Sequence, residues 1–407
     1  MGNATCQSVT QCPMQPISFF VLYWLVPEFK GEAMVDTSRS GGTVSIVLRE
    51  LCRFALYFAV AAAAFSGYYQ KWHFAEADVP GDHSRAYPED IFDGTAYRPY
   101  IYRQLLPDLA SFADRMASPA LKQRFYELET DHDDPLIYAI SGSPTVLNQR
   151  YTFRYLALYL FTFLGALAAV YSMFLLCGEL EIGAAGANFA PVVMMLLLPY
   201  VMSEGGYYYD FPELAFMALS SFVILRFRWW WAIPIVALGE WNKESFLFFV
   251  FTLYPFLRSR NSRAKSWSAM GAMCLVCGAV YIRFRAEFAH NPGGTVEVWW
   301  LEQLRSLIHP AHFLFAWEET YGIPAPKIYT LFPIALLLWA CWQGWRYLPL
   351  LLRRHAKIAM AVNLPLYFIL AFPGELRDLS ILYVSFLVIV ACLIDAWSGT
   401  RTARECG

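Results

Sequence analysis

The residues best placed to do chemistry stand where the chain is otherwise least able to carry charge. In the stretch 229–257, WWWAIPIVALGEWNKESFLFFVFTLYPFL, two apolar runs are interrupted by Glu240, Asn242, Lys243 and Glu244. Neither run is long enough to cross a hydrocarbon core of roughly 30 Å. In a helix, Glu240, Lys243 and Glu244 would share one face, being three and four residues apart. Bare charge at membrane depth is expensive, so this knot must face protein, water or a ligand. A broken helix carrying paired charges is a usual way to build a polar site in lipid. Such a site grips a head group, neutralises charge developing in a reaction, or binds a coupling ion. The alternative is a tight turn outside the membrane between two short helices.

Three further stretches carry the same mixture of groups. YYYDFPE places Tyr207, Tyr208, Tyr209, Asp210 and Glu213 at a helix start. PGELRDLS places Glu375, Arg377 and Asp378 at another, with Glu375 and Asp378 three apart on one face. FDGTAYRPYIYRQLLPDL carries Asp93, Arg98, Tyr100, Tyr102 and Arg103. Arginine holds phosphate through a planar fork and lysine as a point charge. Helix N-termini favour anions, and aromatic faces suit sugar rings. Each stretch also has a purely structural reading. The tyrosines read as an interfacial belt, and Asp210 and Glu213 as complements to a helix dipole. Glu375 and Arg377 read as an ion pair, and Arg98 and Arg103 as surface charge on an amphipathic helix. Only their convergence points to a site, with Arg98, Arg103, Asp210, Glu240, Lys243, Glu244, Glu375 and Arg377 binding substrate.

The elements that must position these residues are membrane helices. The chain has 407 residues, 57% of them hydrophobic and 16% charged, which is too apolar for a soluble globule. Its net charge of −2 gives no reason to expect a nucleic-acid partner. Nine cysteines are scattered; Cys274 and Cys277 form a CxxC inside an apolar segment, without the second pair that zinc would need. Apolar runs predict full spans at 51–69, 155–177, 184–202, 211–227, 266–282, 328–345, 358–373 and 379–397. The expected fold is therefore all-α: a polytopic helical membrane protein with about eight full transmembrane helices plus a broken re-entrant pair.

Basic residues in short loops orient the spans. Arg226 and Arg228 precede the broken pair, and Arg258, Arg260, Arg263 and Lys265 follow it. Arg346, Arg353, Arg354 and Lys357 lie between two later spans, and Arg401 and Arg404 close the tail. An even count of spans places all of these, and both termini, in the cytoplasm, and leaves the loops 70–150 and 284–326 outside. The stretch VEVWWLEQLRSLIHPAHFLFAW in the second loop reads as an amphipathic segment along the outer interface. The organisation expected is an N-terminal tail over 1–45, one transmembrane domain over 46–398, and a cytoplasmic tail over 399–407. Met34 opens a more conventional start than Met1, so the residues before it read as a start-site artefact and take no part in the functional argument.

Taken together, the long outer loop rich in aspartate, the RPYIYRQLLP segment, the YDFPE span start and the NKES break resemble the GT-C superfamily of membrane glycosyltransferases and related bacterial multi-pass proteins. The resemblance covers most of residues 50–397. It implies a polyprenyl-phosphate sugar as donor and an outward-facing site in a bacterial inner membrane. It further implies an acidic residue of the first outer loop acting as base on the acceptor hydroxyl or binding a metal. Asp93 is the match for that base, with Asp82 in PGDHS second. Glu89-Asp90 and Asp133-Asp134 are the adjacent acidic pairs of this loop. No cofactor is required on this reading, although a divalent metal is compatible with it. The alternatives are a transporter or flippase, which broken helices serve equally well, or a non-catalytic membrane partner in an envelope assembly.

Overall fold

A computed structural model describes residues 41–69, 71–72, 87–130, 148–202 and 205–399 of the chain. The N-terminal segment 1–40, Asp82, the Asp133-Asp134 pair, and Arg401 and Arg404 lie outside the described residues. Helices account for nearly all of the regular structure, and one two-stranded hairpin interrupts them.

Among the described residues, four helical stretches are long and apolar enough to cross a membrane: Gln149–Glu179, Ala184–Val201, Arg263–Glu287 and the run Leu376–Trp397. The protein is accordingly a membrane-embedded helical protein. The helices are labelled in chain order: α1 Gly41–Tyr69, α2 Pro88–Phe92, α3 Leu105–Met116, α4 Pro119–Thr130, α5 Gln149–Glu179, α6 Ala184–Val201 and α7 Asp210–Arg226. Then come α8 Ala232–Asn242, α9 Phe246–Thr252, α10 Tyr254–Arg260, α11 Arg263–Glu287, α12 Trp300–Leu307 and α13 Pro310–Phe315. Strands β1 Trp317–Thr320 and β2 Ile323–Pro326 pair antiparallel, and α14 Leu331–Trp345, α15 Leu350–Leu370 and α16 Tyr383–Trp397 complete the chain. At 1.5 Å per residue the 31 residues of α5 reach about 46 Å, well beyond a hydrocarbon core.

The helices differ from the expected spans where polar residues intrude. α14 is apolar but only 15 residues long. α15 starts eight residues before the predicted 358–373 span, so its first turns carry Arg353, Arg354, His355 and Lys357. α7 has 17 residues and is buried along most of its length. It packs on α5, where Ala157, Ala166 and Ala169 are buried, small residues that let two backbones approach. Leu160, Leu164, Leu275 and Ile282 are exposed on the outer faces of α5 and α11, as lipid-facing side chains are.

Two local features place the site. The predicted break falls at Lys243–Ser245, between α8 and α9, where Lys243 is extended at φ −158° and ψ 127°. Gly239 permits it, because a Cβ there would meet the ring of Phe246 at 2.6 Å. Helix α12 exposes Trp300, Leu301, Leu304 and Leu307, while its buried Gln303 donates to the carbonyl of Ala371 at 3.1 Å. This bond, with that from Trp299 N to Ile369 O at 2.9 Å, ties the amphipathic segment to the end of α15.

Candidate functional site

The start of α7, the α8–α9 break and the 3₁₀ turn Leu376–Leu382 meet at one point, and their polar side chains form a single network. Lys243 Nζ donates to Glu213 Oε2 at 2.9 Å, and stands 3.9 Å from Asp210 Oδ1 and 3.8 Å from Asp378 Oδ1. Glu213 Oε1 accepts from Ser245 Oγ at 3.0 Å and from Ser380 Oγ at 2.8 Å, so one carboxylate joins all three elements. Asp210 accepts the Tyr207 backbone N–H at 2.8 Å, closing the start of α7, and receives Arg377 at 3.4 Å. Arg377 also donates through Nε to Glu375 at 2.7 Å. Asn242 donates to the Tyr209 carbonyl at 2.8 Å, which fixes the break against the tyrosine turn.

Arg103, at the end of the 3₁₀ turn Tyr100–Tyr102, brings the first loop into the network. It forks onto Glu244 through Nε at 3.2 Å and Nη2 at 3.1 Å, and donates Nη1 to the Tyr209 hydroxyl. The rings of Tyr100, Tyr207 and Tyr209 stack in sequence, with centroids 5.8 and 5.2 Å apart. Arg377 lies over Tyr207 and Arg103 over Tyr209, each at 4.4 Å. Burial pushes the hydroxyls of all three tyrosines above the ordinary phenol value, so they enter the site neutral.

A cavity of about 840 Å³ opens on this network. Its polar wall contains Tyr100, Arg103, Lys243, Glu244, Arg377 and Asp378; its apolar wall contains Phe248, Trp299, Leu366, Leu370 and Phe372. Among the described residues, no donor lies within hydrogen-bond distance of the Asp378 carboxylate, whose side chain is 29% exposed. Next to it, Asn363 donates to the Asp378 carbonyl at 2.8 Å and keeps its own Oδ1 unpartnered.

The expected site residues are therefore distributed unequally. Arg103, Asp210, Lys243, Glu244, Glu375 and Arg377 belong to one network. Glu240 is buried beside it but turned away, one oxygen accepting the Leu247 N–H at 2.7 Å across the break and the other unpartnered. Arg98 does not line the cavity; it donates to the Gly293 carbonyl at 2.7 Å and ties its own stretch to the loop after α11. Asp93 does not line it either: Arg150 at 2.9 Å and the Tyr151 hydroxyl at 2.6 Å take up its carboxylate at the start of α5. Four residues not singled out for the site from sequence belong to it: Glu213, Asp378, Ser380 and Arg285. Glu213 sat inside YYYDFPE, and Asp378 and Ser380 inside PGELRDLS. Arg285 had a signal in its four-residue spacing from Tyr281, both of which line the cavity.

Among the described residues no three His, Cys, Asp or Glu side chains gather as a metal-binding set. The network's carboxylates face lysine and arginine rather than one another. Cys274 and Cys277 are separate free thiols on α11, the second buried.

Fold and site define a helical membrane protein with an ion-paired polar network beneath a half-apolar cavity. No protein-family model, no curated protein and no solved structure matches the chain.

Proposed function

We propose that the protein is a membrane glycosyltransferase of the GT-C kind, using a polyprenyl-phosphate-linked sugar in this cavity. The observation that supports it is the cavity's division into a polar, tyrosine-lined wall and an apolar wall of Leu366, Leu370, Phe372, Trp299 and Phe248. That division suits a ligand with a polar head and a hydrocarbon tail. In this reading eight spans and a re-entrant pair cross the inner membrane of a bacterium, both termini are cytoplasmic, and the cavity faces outward. Asp378 replaces Asp93 as base, because it lines the cavity and, among the described residues, its carboxylate accepts no hydrogen bond. Asp378 takes the proton of the acceptor hydroxyl, whose oxygen attacks the anomeric carbon. The bond from that carbon to the phosphate oxygen breaks, and the lipid phosphate leaves with the electron pair.

The test is release of free polyprenyl phosphate by purified protein given a panel of polyprenyl-phosphate sugars. Release lost in Asp378→Asn and kept in Asp93→Asn is the expected result. No release from any donor, with or without acceptor glycans, would remove the transferase reading. A transporter is the second reading, favoured by one observation: Lys243, at the helix break, faces three carboxylates and is closed from solvent.

A further inference from the structure

The cations that line the cavity are not equivalent. Arg103 shares its charge with Glu244, Lys243 with Glu213, and Arg377 with Glu375 and Asp210. Across this network five carboxylates meet three cations. An anion arriving there meets as much repulsion as attraction, so the network is poorly suited to hold one.

Arg285 is different. It stands in the last turn of α11 and lines the same cavity. Its guanidinium carbon lies 4.5 Å from the ring centroid of Tyr102 and 4.6 Å from that of Tyr281. Among the described residues it makes no ion pair and no side-chain hydrogen bond, and its Nε is buried without an acceptor. Contact with two aromatic faces orients a guanidinium without occupying its N–H donors. A cation in the last turn of a helix also complements the dipole, and a long side chain there can reach toward the interface. Arg283, two residues earlier, fits that description: it is 67% exposed and stands 3.8 Å from Glu287. Arg285 instead turns inward, with its planar fork unclaimed.

We propose that Arg285 is the anion-binding residue of the cavity and receives the phosphate of a lipid monophosphate. The lipid part rests on the amphiphile reading above; the anion part rests on Arg285 itself. The paired cations Arg103, Lys243 and Arg377 then hold the polar wall in shape, and the apolar wall takes the chain.

The experiment uses the full-length protein in detergent, with farnesyl phosphate, farnesol and inorganic phosphate as probes. Binding is measured by calorimetry on wild type, Arg285→Gln, Arg285→Lys and Arg283→Gln, with unliganded melting curves for each. Wild type should bind farnesyl phosphate roughly tenfold or more tightly than farnesol, the scale of one charged hydrogen-bonding group. Arg285→Gln should abolish the difference, Arg285→Lys should keep part of it, and Arg283→Gln should leave it unchanged. In parallel, farnesyl phosphate should protect Arg285 of the unmutated protein from phenylglyoxal, followed by peptide mass spectrometry, so that misfolding of a variant does not decide the matter. Equal binding of farnesyl phosphate and farnesol by wild type, binding of neither, or unchanged binding in Arg285→Gln would overturn the proposal. Arg285-dependent binding of inorganic phosphate with no gain from the isoprenoid chain would support the anion site and overturn its lipid source. Arg285-dependent binding without turnover of any lipid-linked sugar would leave this proposal standing and remove the transferase reading. Turnover unaffected by Arg285→Gln would do the reverse.

Discussion

Lys243 donates to Glu213 across 2.9 Å, and their side chains are only 5% and 2% exposed. Glu213 belongs to α7 and Lys243 to the α8–α9 break; Ser245 of the same break and Ser380 of the Leu376–Leu382 turn complete the shell of Glu213. A charge pair so enclosed contributes little net stability compared with apolar residues of the same shape, but leaving either partner alone is costly.

Removing one partner should therefore be much worse than removing both. Lys243→Met should destabilise the protein by about 3–5 kcal/mol, because Glu213 then loses its cation inside the protein and only Asp210 keeps one, Arg377. The pair Lys243→Met with Glu213→Leu should recover a large part of that loss. Thermal unfolding in detergent, read by fluorescence-detected gel filtration, measures it; additive losses would mean that the two side chains are not coupled.

Much of this arrangement was legible in the sequence. Charge between apolar runs too short to span marked the break, which falls at Lys243–Ser245. The acidic and basic residues of YDFPE, NKES and PGELRDLS were expected to share a site, and Asp210, Lys243, Glu244, Glu375 and Arg377 do form one network. The failures share a cause, which is that long-range partners leave no local trace. Asp93 looked available, but its carboxylate is claimed by Arg150, 57 positions away. Arg285 carried no signal beyond its spacing from Tyr281, because only the fold brings Tyr102 beside it. Span ends shifted where polar residues extend a helix, as at the beginning of α15.

The first-loop aspartate supplies a second test. The Asp93–Arg150 pair is on the surface, with side chains 27% and 61% exposed, so its loss should cost no more than about 1 kcal/mol. Asp93→Asn should thus melt within a few degrees of wild type and bind farnesyl phosphate unchanged. A large loss of ligand affinity in this variant would instead place Asp93 within reach of the cavity, despite its bonds to Arg150 and Tyr151.

Gly239 tests the packing behind the break. A methyl group there would meet Phe246 ring carbons at 2.6 and 2.7 Å, and Phe246 is fully buried. Gly239→Ala should cost about 1–3 kcal/mol by overpacking. Phe246→Leu removes the ring edge that clashes, so the double variant should be more stable than the sum of the two single losses predicts. Strict additivity, measured by the same melting assay, would show that the break does not depend on this contact.

Arg103 and Glu244 provide the remaining test, because they tie the loop between α1 and α5 to the break by two parallel hydrogen bonds, at 3.2 and 3.1 Å. Lysine retains the charge of arginine but not its planar fork, so it cannot reproduce the two parallel bonds to Glu244. Arg103→Lys should therefore lower stability by about 1.5–3 kcal/mol, the worth of one charged hydrogen bond. Arg103→Ala should cost more, since it leaves Glu244 partly buried beside Glu240 with no cation in the fork. A double-mutant cycle with Glu244→Gln isolates the pair: a coupling energy above about 1 kcal/mol is expected, as for charges held in one buried network. The cycle also separates anchoring from ligand contact. If Arg103 only positions the loop, Arg103→Lys will shift the melting temperature while leaving the preference for farnesyl phosphate over farnesol intact, because Arg285 holds the phosphate. Loss of that preference in Arg103→Lys would instead make Arg103 the group that meets the anion.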